Sequence, residues 1–308
     1  MLVFSGNAHR ALARAVCDYL DIPLGDASIT RFPDGELNVK VNDDVRGADA
    51  FVIQPTCHPV NDNLMELLML IDCLRRASAD RITAVLPYYG YARKDRKDEG
   101  RVPITAKLVA NLITQAGANR ALAVDLHASQ IQGFFDIPVD HLYASGVLVR
   151  QFLDRKFDDL VVVSPDVGSI KLARAYAEML GAGLAVVDKR RISPQETAAG
   201  FIIGEVRDKH VLIVDDIIAT GGSVCEAARM LREHGACSVE VAATHAVLCD
   251  PAPERLAAAP IDHITVTDTV PLRDEARALP LTVVSVASLL GEAMRRIHFN
   301  ESVSSLFS

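Results

Sequence analysis

The sequence is short of several features that would assign it to a specialised class of protein. Its 308 residues include 32 Lys and Arg against 40 Asp and Glu, so we do not expect a basic surface that captures nucleic acid or an anionic membrane. No apolar run approaches the roughly 18 residues that a membrane-spanning helix needs, and no basic segment leads into an apolar stretch at the start. The six cysteines include no CxxC pair, which argues against a zinc site or a disulfide framework. We therefore expect a cytoplasmic protein that binds neither nucleic acid nor membrane.

What the sequence contains is typical of a folded α/β protein. Hydrophobic residues make up 50%, with 18 Gly and 14 Pro, which excludes collagen-like and largely disordered chains. Short and almost entirely apolar runs alternate with helical patterns, as in mainly parallel sheets that are covered by helices on both faces. The predicted strands are residues 2–5, 50–54, 81–87, 121–125, 160–164, 183–188, 210–215 and 239–244.

The two halves of the sequence resemble each other. Residues 108–128 and 226–246 align without a gap, which matches Gly117 with Gly235 and His127 with His245. Each segment is typical of a helix, a glycine at its end, a strand, and then a turn that carries a histidine. The segments ALARAV and KLARAY also resemble each other. Duplication of one unit accounts best for this match, and it predicts an N-terminal domain of residues 1–145 and a C-terminal domain of residues 146–308. The C-terminal domain includes a tail, from about residue 290, that the duplication leaves over.

The most informative pattern lies within residues 210–231. A buried strand leads to two adjacent carboxylates, Asp215 and Asp216, and a glycine-rich turn then opens a helix. Backbone N–H groups and the helix dipole in such a turn suit a phosphate monoester, while the carboxylates can accept hydrogen bonds from vicinal hydroxyls. Either part alone is more often a plain turn or helix cap, but both in this order predict a site for a phosphorylated pentose. The residues of the turn are Ala219, Thr220, Gly221, Gly222 and Ser223.

The segment VDDIIATGGS resembles the phosphoribosyl-diphosphate motif of type I phosphoribosyltransferase folds. With RFPDGE, LPYYGYARKDRK, VDLHASQIQGFFDIPVDHL, VVSPDVG and VVDKRR, the sequence resembles the ribose-phosphate pyrophosphokinase family over essentially its whole length. The resemblance implies an α/β fold of two tandem type I phosphoribosyltransferase-like domains. It also implies transfer of the diphosphoryl group of ATP to the C1 hydroxyl of ribose 5-phosphate, which yields 5-phosphoribosyl 1-diphosphate and AMP for nucleotide, histidine and tryptophan biosynthesis.

The resemblance further implies a role for individual residues. Lys189 and Arg191 would be the catalytic pair, with the lysine a point charge on the transferred group and the arginine a bidentate clamp that also binds substrate. His127 and Asp166 would hold Mg²⁺. The ribose 5-phosphate site would comprise Asp215, Asp216, Ala219, Thr220, Gly221, Gly222 and Ser223. The ATP site would comprise Asp34, Gly35, Glu36, Arg93, Lys94 and Asp95. Arg93 and Lys94 belong to a basic patch in an otherwise acidic protein, and such a patch suits a triphosphate.

The family's ATP site is completed across a subunit interface, so the resemblance implies a homo-oligomer, usually a hexamer. Several positions depart from the family's common pattern. Ala219 stands where many members have Asp, and Ser169 replaces a frequent Gly, where a Cβ would matter if φ were positive. The stretch 98–100 replaces a usually more basic segment, and the tail 302–308 resembles that of phosphate-activated, ADP-inhibited members.

Three other functions fit the sequence less well. A non-catalytic regulatory relative is disfavoured because the sequence retains Lys189, Arg191, His127, Asp166 and the complete TGGS turn. A phosphoribosyltransferase, or a sensor of its substrate, would need one such domain and no RFPDGE segment. The sequence lacks the GxGxxG motif of a nucleotide-binding oxidoreductase, which disfavours that function. It also lacks the GxxxxGK[ST] phosphate-binding loop, so ATP must be held in another way than in the proteins that carry that loop.

Overall fold

The structure is a computed structural model, and it describes residues 1–153, 155, 159–188 and 200–306. The strands are β1 (Leu2–Ser5), β2 (Ala27–Arg31), β3 (Leu37–Val41), β4 (Asp49–Ile53), β5 (Arg81–Leu86), β6 (Arg120–Val124), β7 (Val139–Leu142), β8 (Leu160–Ser164), β9 (Gly183–Asp188), β10 (Phe201–Ile203), β11 (His210–Ile218), β12 (Ser238–Ala246), β13 (His263–Thr267) and β14 (Leu281–Val284). The α-helices are α1 (Arg10–Leu20), α2 (Val60–Arg76), α3 (Thr105–Ala116), α4 (Ser145–Leu153), α5 (Ile170–Leu180), α6 (Gly222–Glu233), α7 (Ala252–Ala258) and α8 (Ala287–His298). Within the described part of the chain, no helix combines the length and the hydrophobicity needed to cross a bilayer.

The chain divides into two compact units. The first contains Met1–Ala144, Thr269–Pro271 and Ser285–Ser308, and the second contains Ser145–Asp268 and Leu272–Val284. The division expected from the sequence differs at the C-terminal end, because it assigned everything after residue 145 to the second domain. Helix α8 belongs with the first unit since its apolar stripe, which includes Leu290, Met294 and Ile297, is buried in the core that α1 also covers.

The first unit is built on a sheet of five parallel strands in the order β1-β4-β5-β6-β7. Helices α2 and α3 cover one face, and helices α1 and α8 cover the other. Since both faces are buried, the central strands are almost continuously apolar, which is why the sequence pattern identified them. A separate antiparallel hairpin, β2 with β3, carries the RFPDGE segment in its turn.

The second unit is built on a sheet of seven strands in the order β10-β9-β8-β11-β12-β13-β14. Its neighbouring strands are parallel except for β10, which runs antiparallel to β9. Helices α6 and α7 cover one face of this sheet, and α4 and α5 cover the other.

The strand order of the second sheet reverses between β8 and β11. From β8 the chain passes through α5 to β9 on one side, and later strands are added from β11 on the other side. In open parallel sheets, a crevice opens at the carboxyl ends of the strands at such a reversal, and ligands bind there. The strand order of the first unit follows the chain, so the reversal distinguishes the second sheet.

The predicted α/β class with mainly parallel sheets is confirmed, and each of the eight predicted strands is present. The duplicated pattern is present too: α3 and α6 are followed by Gly117 and Gly235 with φ of +123° and +90°, and then by β6 and β12. The match stops at the histidines. His245 lies inside β12 and is buried, whereas His127 lies beyond the end of β6 and is exposed.

Candidate active site

Two strands of the second unit bring the predicted sugar-phosphate residues to one edge of the sheet. Asp166 follows β8, and Asp215 and Asp216 lie near the carboxyl end of β11, the strand paired with β8 across the reversal. Strand β11 extends to Ile218, three residues beyond its predicted end at residue 215. It continues because residues as far as Ile218 pair with β12.

Asp166 is fixed by the start of α5. Its Oδ1 accepts the backbone N–H of Gly168 at 2.8 Å and that of Ser169 at 3.2 Å. Its carbonyl oxygen accepts the hydroxyl of Ser164 at 2.6 Å. A carboxylate at a helix N-terminus is stabilised by the helix dipole, and these donors hold one of its oxygens in place.

Asp215 is 9% exposed and has a donor on either side of one carboxyl oxygen. Its Oδ1 accepts the hydroxyl of Ser169 at 2.8 Å and the N–H of Asp216 at 3.0 Å. Burial raises the pKa of Asp215 above its ordinary value, repulsion from Asp216 adds to this, and the hydrogen bond from Ser169 opposes it. A hydrogen bond between the two carboxyls raises the pKa further. A pair of carboxyls that shares a proton can both donate to and accept from sugar hydroxyls.

The glycine-rich turn after β11 feeds the start of α6. Gly221 is the N-cap residue with φ of +73°, a conformation that residues with a Cβ rarely adopt, and its carbonyl accepts the N–H of Cys225 at 2.9 Å. Thr220 and Ser223 are exposed, and the Thr220 carbonyl accepts a hydrogen bond from Arg255 at 3.3 Å. The 12-residue helix α6 thus begins at a loop that offers amide and hydroxyl donors, the arrangement that binds phosphate.

The structure places the seven predicted ribose 5-phosphate residues together, in one strand and at the loop and helix start after it. The set is Asp215, Asp216, Ala219, Thr220, Gly221, Gly222 and Ser223. The predicted catalytic residues Lys189 and Arg191 lie outside the described residues.

In the first unit, the predicted ATP residues Asp34, Gly35 and Glu36 form the tip of the β2–β3 hairpin. Gly35 has φ of +94°, and the N–H of Glu36 donates a hydrogen bond to Asp34 Oδ1 at 3.0 Å. Arg31 donates to the Gly35 carbonyl at 3.0 Å and pairs with Asp62 at 2.8 Å. The turn is therefore exposed but conformationally defined.

The second group of predicted ATP residues, Arg93, Lys94 and Asp95, follows β5. Lys94 Nζ lies 2.9 Å from Asp98 Oδ2, and the ion pair holds the pKa of Asp98 below its ordinary value. Asp95 accepts a hydrogen bond from Gln130 at 2.8 Å. One cation of the predicted basic patch is thus partly neutralised by Asp98, one of the residues that departs from the family pattern.

His127 lies in an exposed bend three residues beyond β6, in the turn that the sequence predicted after this strand. The bend is held from both sides. Asp125, with φ of +37°, accepts the N–H of Ala144 at 3.1 Å, and the N–H of Leu126 donates to Nε2 of His141 at 2.9 Å. In the described ranges, no group of three or more His, Cys, Asp or Glu residues is arranged to hold a metal ion.

Sequence reasoning missed two side chains that shape these loops. Ser169 drew notice only as a departure from glycine, and nothing in the pattern indicated that its hydroxyl reaches Asp215. His141 was not singled out, because its contact with Leu126 joins β7 to the bend after β6, and only the fold shows that these two segments are neighbours.

The fold and the glycine-rich loop after β11 define an α/β protein of the type I phosphoribosyltransferase-like class with two such units. Comparison with known proteins narrows the class. Residues 1–117 match the N-terminal domain of ribose phosphate pyrophosphokinase, and residues 191–308 match the phosphoribosyl synthetase-associated domain. The chain belongs to the ribose-phosphate pyrophosphokinase family.

Individual relatives match the chain over nearly its full length. A ribose-phosphate pyrophosphokinase of Rhodopirellula baltica is 58% identical, covering 99% of this chain and 98% of the relative. One from Synechococcus elongatus is 55% identical, covering 99% and 93%. Among solved structures, phosphoribosylpyrophosphate synthetase from Mycobacterium smegmatis superimposes with a TM-score of 0.91 at 44% identity, covering 97% of this chain and 99% of that one.

Proposed function

We propose that this protein is a ribose-phosphate diphosphokinase. It transfers the diphosphoryl group of ATP to the C1 hydroxyl of ribose 5-phosphate, and the products are 5-phosphoribosyl 1-diphosphate and AMP. The C1 oxygen forms a bond to the β-phosphorus while the bond from that phosphorus to the oxygen of the departing AMP breaks. Membership of the family supports this activity, as do the two carboxyls and the glycine-rich loop at the strand reversal of the second unit.

One observation carries the assignment of the sugar site. Near the carboxyl end of β11, the buried Asp215 and the half-buried Asp216 are followed within a few residues by the loop that opens α6. The 5-phosphate would take the amide and hydroxyl donors of Thr220, Gly222 and Ser223, and the ribose hydroxyls would bind Asp215 and Asp216. These two requirements, for phosphate and for vicinal hydroxyls, are met together by a phosphorylated pentose.

The remaining roles are proposed from the family resemblance. ATP would bind Asp34, Gly35 and Glu36 in the hairpin turn and Arg93, Lys94 and Asp95 after β5. Lys189 and Arg191 would neutralise the charge that develops on the transferred phosphoryl oxygens. We also propose a cytoplasmic homo-oligomer, a hexamer by resemblance, and the exposed hairpin turn leaves Asp34 to Glu36 available to a neighbouring subunit.

Mg²⁺ is the metal that the family implies, and Asp166 is suited to it. Mg²⁺ is usually bound by one or two protein groups together with waters and substrate phosphates, so it does not need a cluster of three protein ligands. Asp166 commits Oδ1 to two backbone N–H groups, so that carboxylate is already oriented. We propose Asp166 and His127 as its ligands. When bound, the ion would neutralise phosphate charge.

The proposal is tested by measuring AMP release from ATP by the purified protein, with and without ribose 5-phosphate, Mg²⁺ and inorganic phosphate. We expect release that depends on the sugar. Asp216→Asn should raise the KM for ribose 5-phosphate about tenfold. Asp208→Asn, which removes an exposed carboxylate near the amino end of the same strand, should not change it. Absence of sugar-dependent AMP would instead favour the non-catalytic relative.

A further inference from the structure

The start of α5 holds a side chain that contacts the proposed sugar site. Ser169 precedes α5 with φ of −91° and ψ of 8°. Because this φ is negative, a Cβ fits at the position without backbone strain. The replacement of a frequent glycine by serine is therefore tolerated, which answers the question that the sequence raised.

Ser169 links the two loops that meet at the strand reversal. Its backbone N–H donates to Asp166 Oδ1 at 3.2 Å, and its hydroxyl donates to Asp215 Oδ1 at 2.8 Å. The first contact needs only the backbone, and any residue except proline supplies it. The second needs the hydroxyl, which neither glycine nor alanine has.

The hydroxyl fixes the orientation of a carboxyl that is almost fully buried. Asp215 Oδ1 receives two donors, the Ser169 hydroxyl and the N–H of Asp216 at 3.0 Å. The N–H of Asp216 and the hydrogen bond between the two carboxyls would constrain the Asp215 carboxyl poorly by themselves, because both come from the adjacent residue. The Ser169 hydroxyl comes from another element, 46 residues away in the sequence, so it fixes rotation of the side chain relative to the rest of the site.

We propose that Ser169 is a positioning residue that sets recognition of the ribose hydroxyls through Asp215. The inference rests on the proposed function, in which Asp215 and Asp216 bind those hydroxyls. In this chain, a serine hydroxyl orients the acceptor that distinguishes ribose 5-phosphate from a sugar lacking one of the vicinal hydroxyls. Without the hydroxyl, the Asp215 carboxyl can rotate, and the distinction between the two sugars weakens.

The experiment compares the wild type with Ser169→Ala, Ser169→Gly and Ser169→Thr. The affinities for ribose 5-phosphate and 2-deoxyribose 5-phosphate are measured by calorimetric titration, and KM and kcat are measured for ribose 5-phosphate. For Ala and Gly we expect a loss of about tenfold in affinity for ribose 5-phosphate, a smaller loss for the deoxy sugar, and an unchanged KM for ATP. Thr keeps a hydroxyl and should restore the preference for ribose 5-phosphate.

Ser145→Ala is the matched control, because Ser145 also lies at the start of a helix of the second unit. It should leave both affinities unchanged, and thermal unfolding followed by circular dichroism checks that every variant is folded. Equal loss for the two sugars in Ser169→Ala, or no loss, would overturn the inference, and so would a wild type that binds both sugars equally. If the wild type releases no AMP in the presence of ribose 5-phosphate, the proposed function itself fails. An active wild type with an unaltered Ser169→Ala variant contradicts only the role of Ser169.

Discussion

Asp49 and Arg81 lie opposite each other on the neighbouring strands β4 and β5, and their side chains form a two-point ion pair. Arg81 also donates to the carbonyl of Ile297 at 3.1 Å, and His298 Nδ1 lies 2.8 Å from Asp49 Oδ2. The pair therefore connects the amino ends of two strands to the last turn of α8. It gives a residue-level reason why the C-terminal helix belongs with the first unit.

We expect Asp49→Asn to lower the free energy of unfolding by about 2 kcal/mol, because it leaves a half-buried guanidinium without its counter-charge. Chemical denaturation at pH 7, followed by circular dichroism, measures the change. Asp72→Asn is the control, since it removes the partner of the exposed Arg76 at i,i+4 and should cost much less. Similar losses for the two variants would contradict a special role for the Asp49 pair.

The contribution of Asp49 should also depend on pH. Burial by itself would raise the pKa of Asp49, but hydrogen bonds from Arg81 and His298 outweigh it and hold the pKa below its ordinary value. A carboxyl with a lowered pKa stabilises the fold above its unfolded pKa of about 4, and this stabilisation is lost as the pH falls through the folded pKa. The difference in stability between the wild type and Asp49→Asn should therefore shrink as the pH falls below about 4. A difference that stays constant from pH 7 to pH 3 would contradict this assignment.

Gly221→Ala should raise the KM for ribose 5-phosphate about tenfold, because relief of the positive φ reorients the amides at the start of α6. Crowding is not the cause, since a Cβ there would lie 3.5 Å from Leu256, an ordinary contact. Gly181→Ala is the control: Gly181 also has a positive φ and has open space around it, but it lies at the far end of α5. Both variants should lose about 1 kcal/mol of stability, and only the first should change KM. A similar rise in KM for Gly221→Ala and Gly181→Ala would show that backbone strain alone causes the rise.

Asp98→Asn should lower the KM for ATP about twofold at low ionic strength, because it releases Lys94 from its ion pair. The effect should fade as salt is added, since both groups are about half exposed. Asp18→Asn, which removes an exposed carboxylate from α1, controls for the change in net charge. An unchanged or higher KM for ATP in Asp98→Asn would argue that Lys94 does not meet the nucleotide.

His141→Ala should raise the Mg²⁺ concentration needed for half-maximal AMP formation. The variant removes the acceptor of the Leu126 N–H, so the bend that carries His127 loses a support from β7. His263→Ala serves as the control, because His263 contacts Thr282 within the other unit. If the Mg²⁺ dependence of His141→Ala matches that of the wild type, either the bend is held by Asp125 alone or His127 does not meet the metal.

The strands that are buried on both faces could be predicted from the sequence. The central strands β4, β5, β11 and β12 are continuously apolar and were predicted to within a few residues. Strands that are short or partly exposed, such as β7 and β10, have weaker patterns and were missed. The end of β11 was misplaced because two carboxylates interrupt its apolar run, although pairing with β12 continues beyond them.

At the candidate site, the sequence predicted the chemistry of residues that are adjacent in the chain. It did not predict the contacts between segments that are far apart in the chain. The order of carboxylates, glycines and hydroxyls around residue 220 indicated a phosphosugar, since those residues are adjacent in the chain and their roles follow from residue type. The hydrogen bonds from Ser169 to Asp215 and from Leu126 to His141 join residues far apart in sequence. No local pattern encodes such a contact, because it depends on which strands become neighbours.

The α/β class, the duplicated helix–glycine–strand pattern and the glycine-rich loop after β11 could be predicted from the amino-acid sequence, because each follows from the burial periodicity or the chemistry of adjacent residues. The reversal of strand order between β8 and β11 could not be predicted in this way, and neither could the place of α8 in the first unit. Both outcomes depend on competition among many apolar surfaces for burial. A strand or helix encodes the need to bury one of its faces, but its partner is selected by the packing of the whole chain.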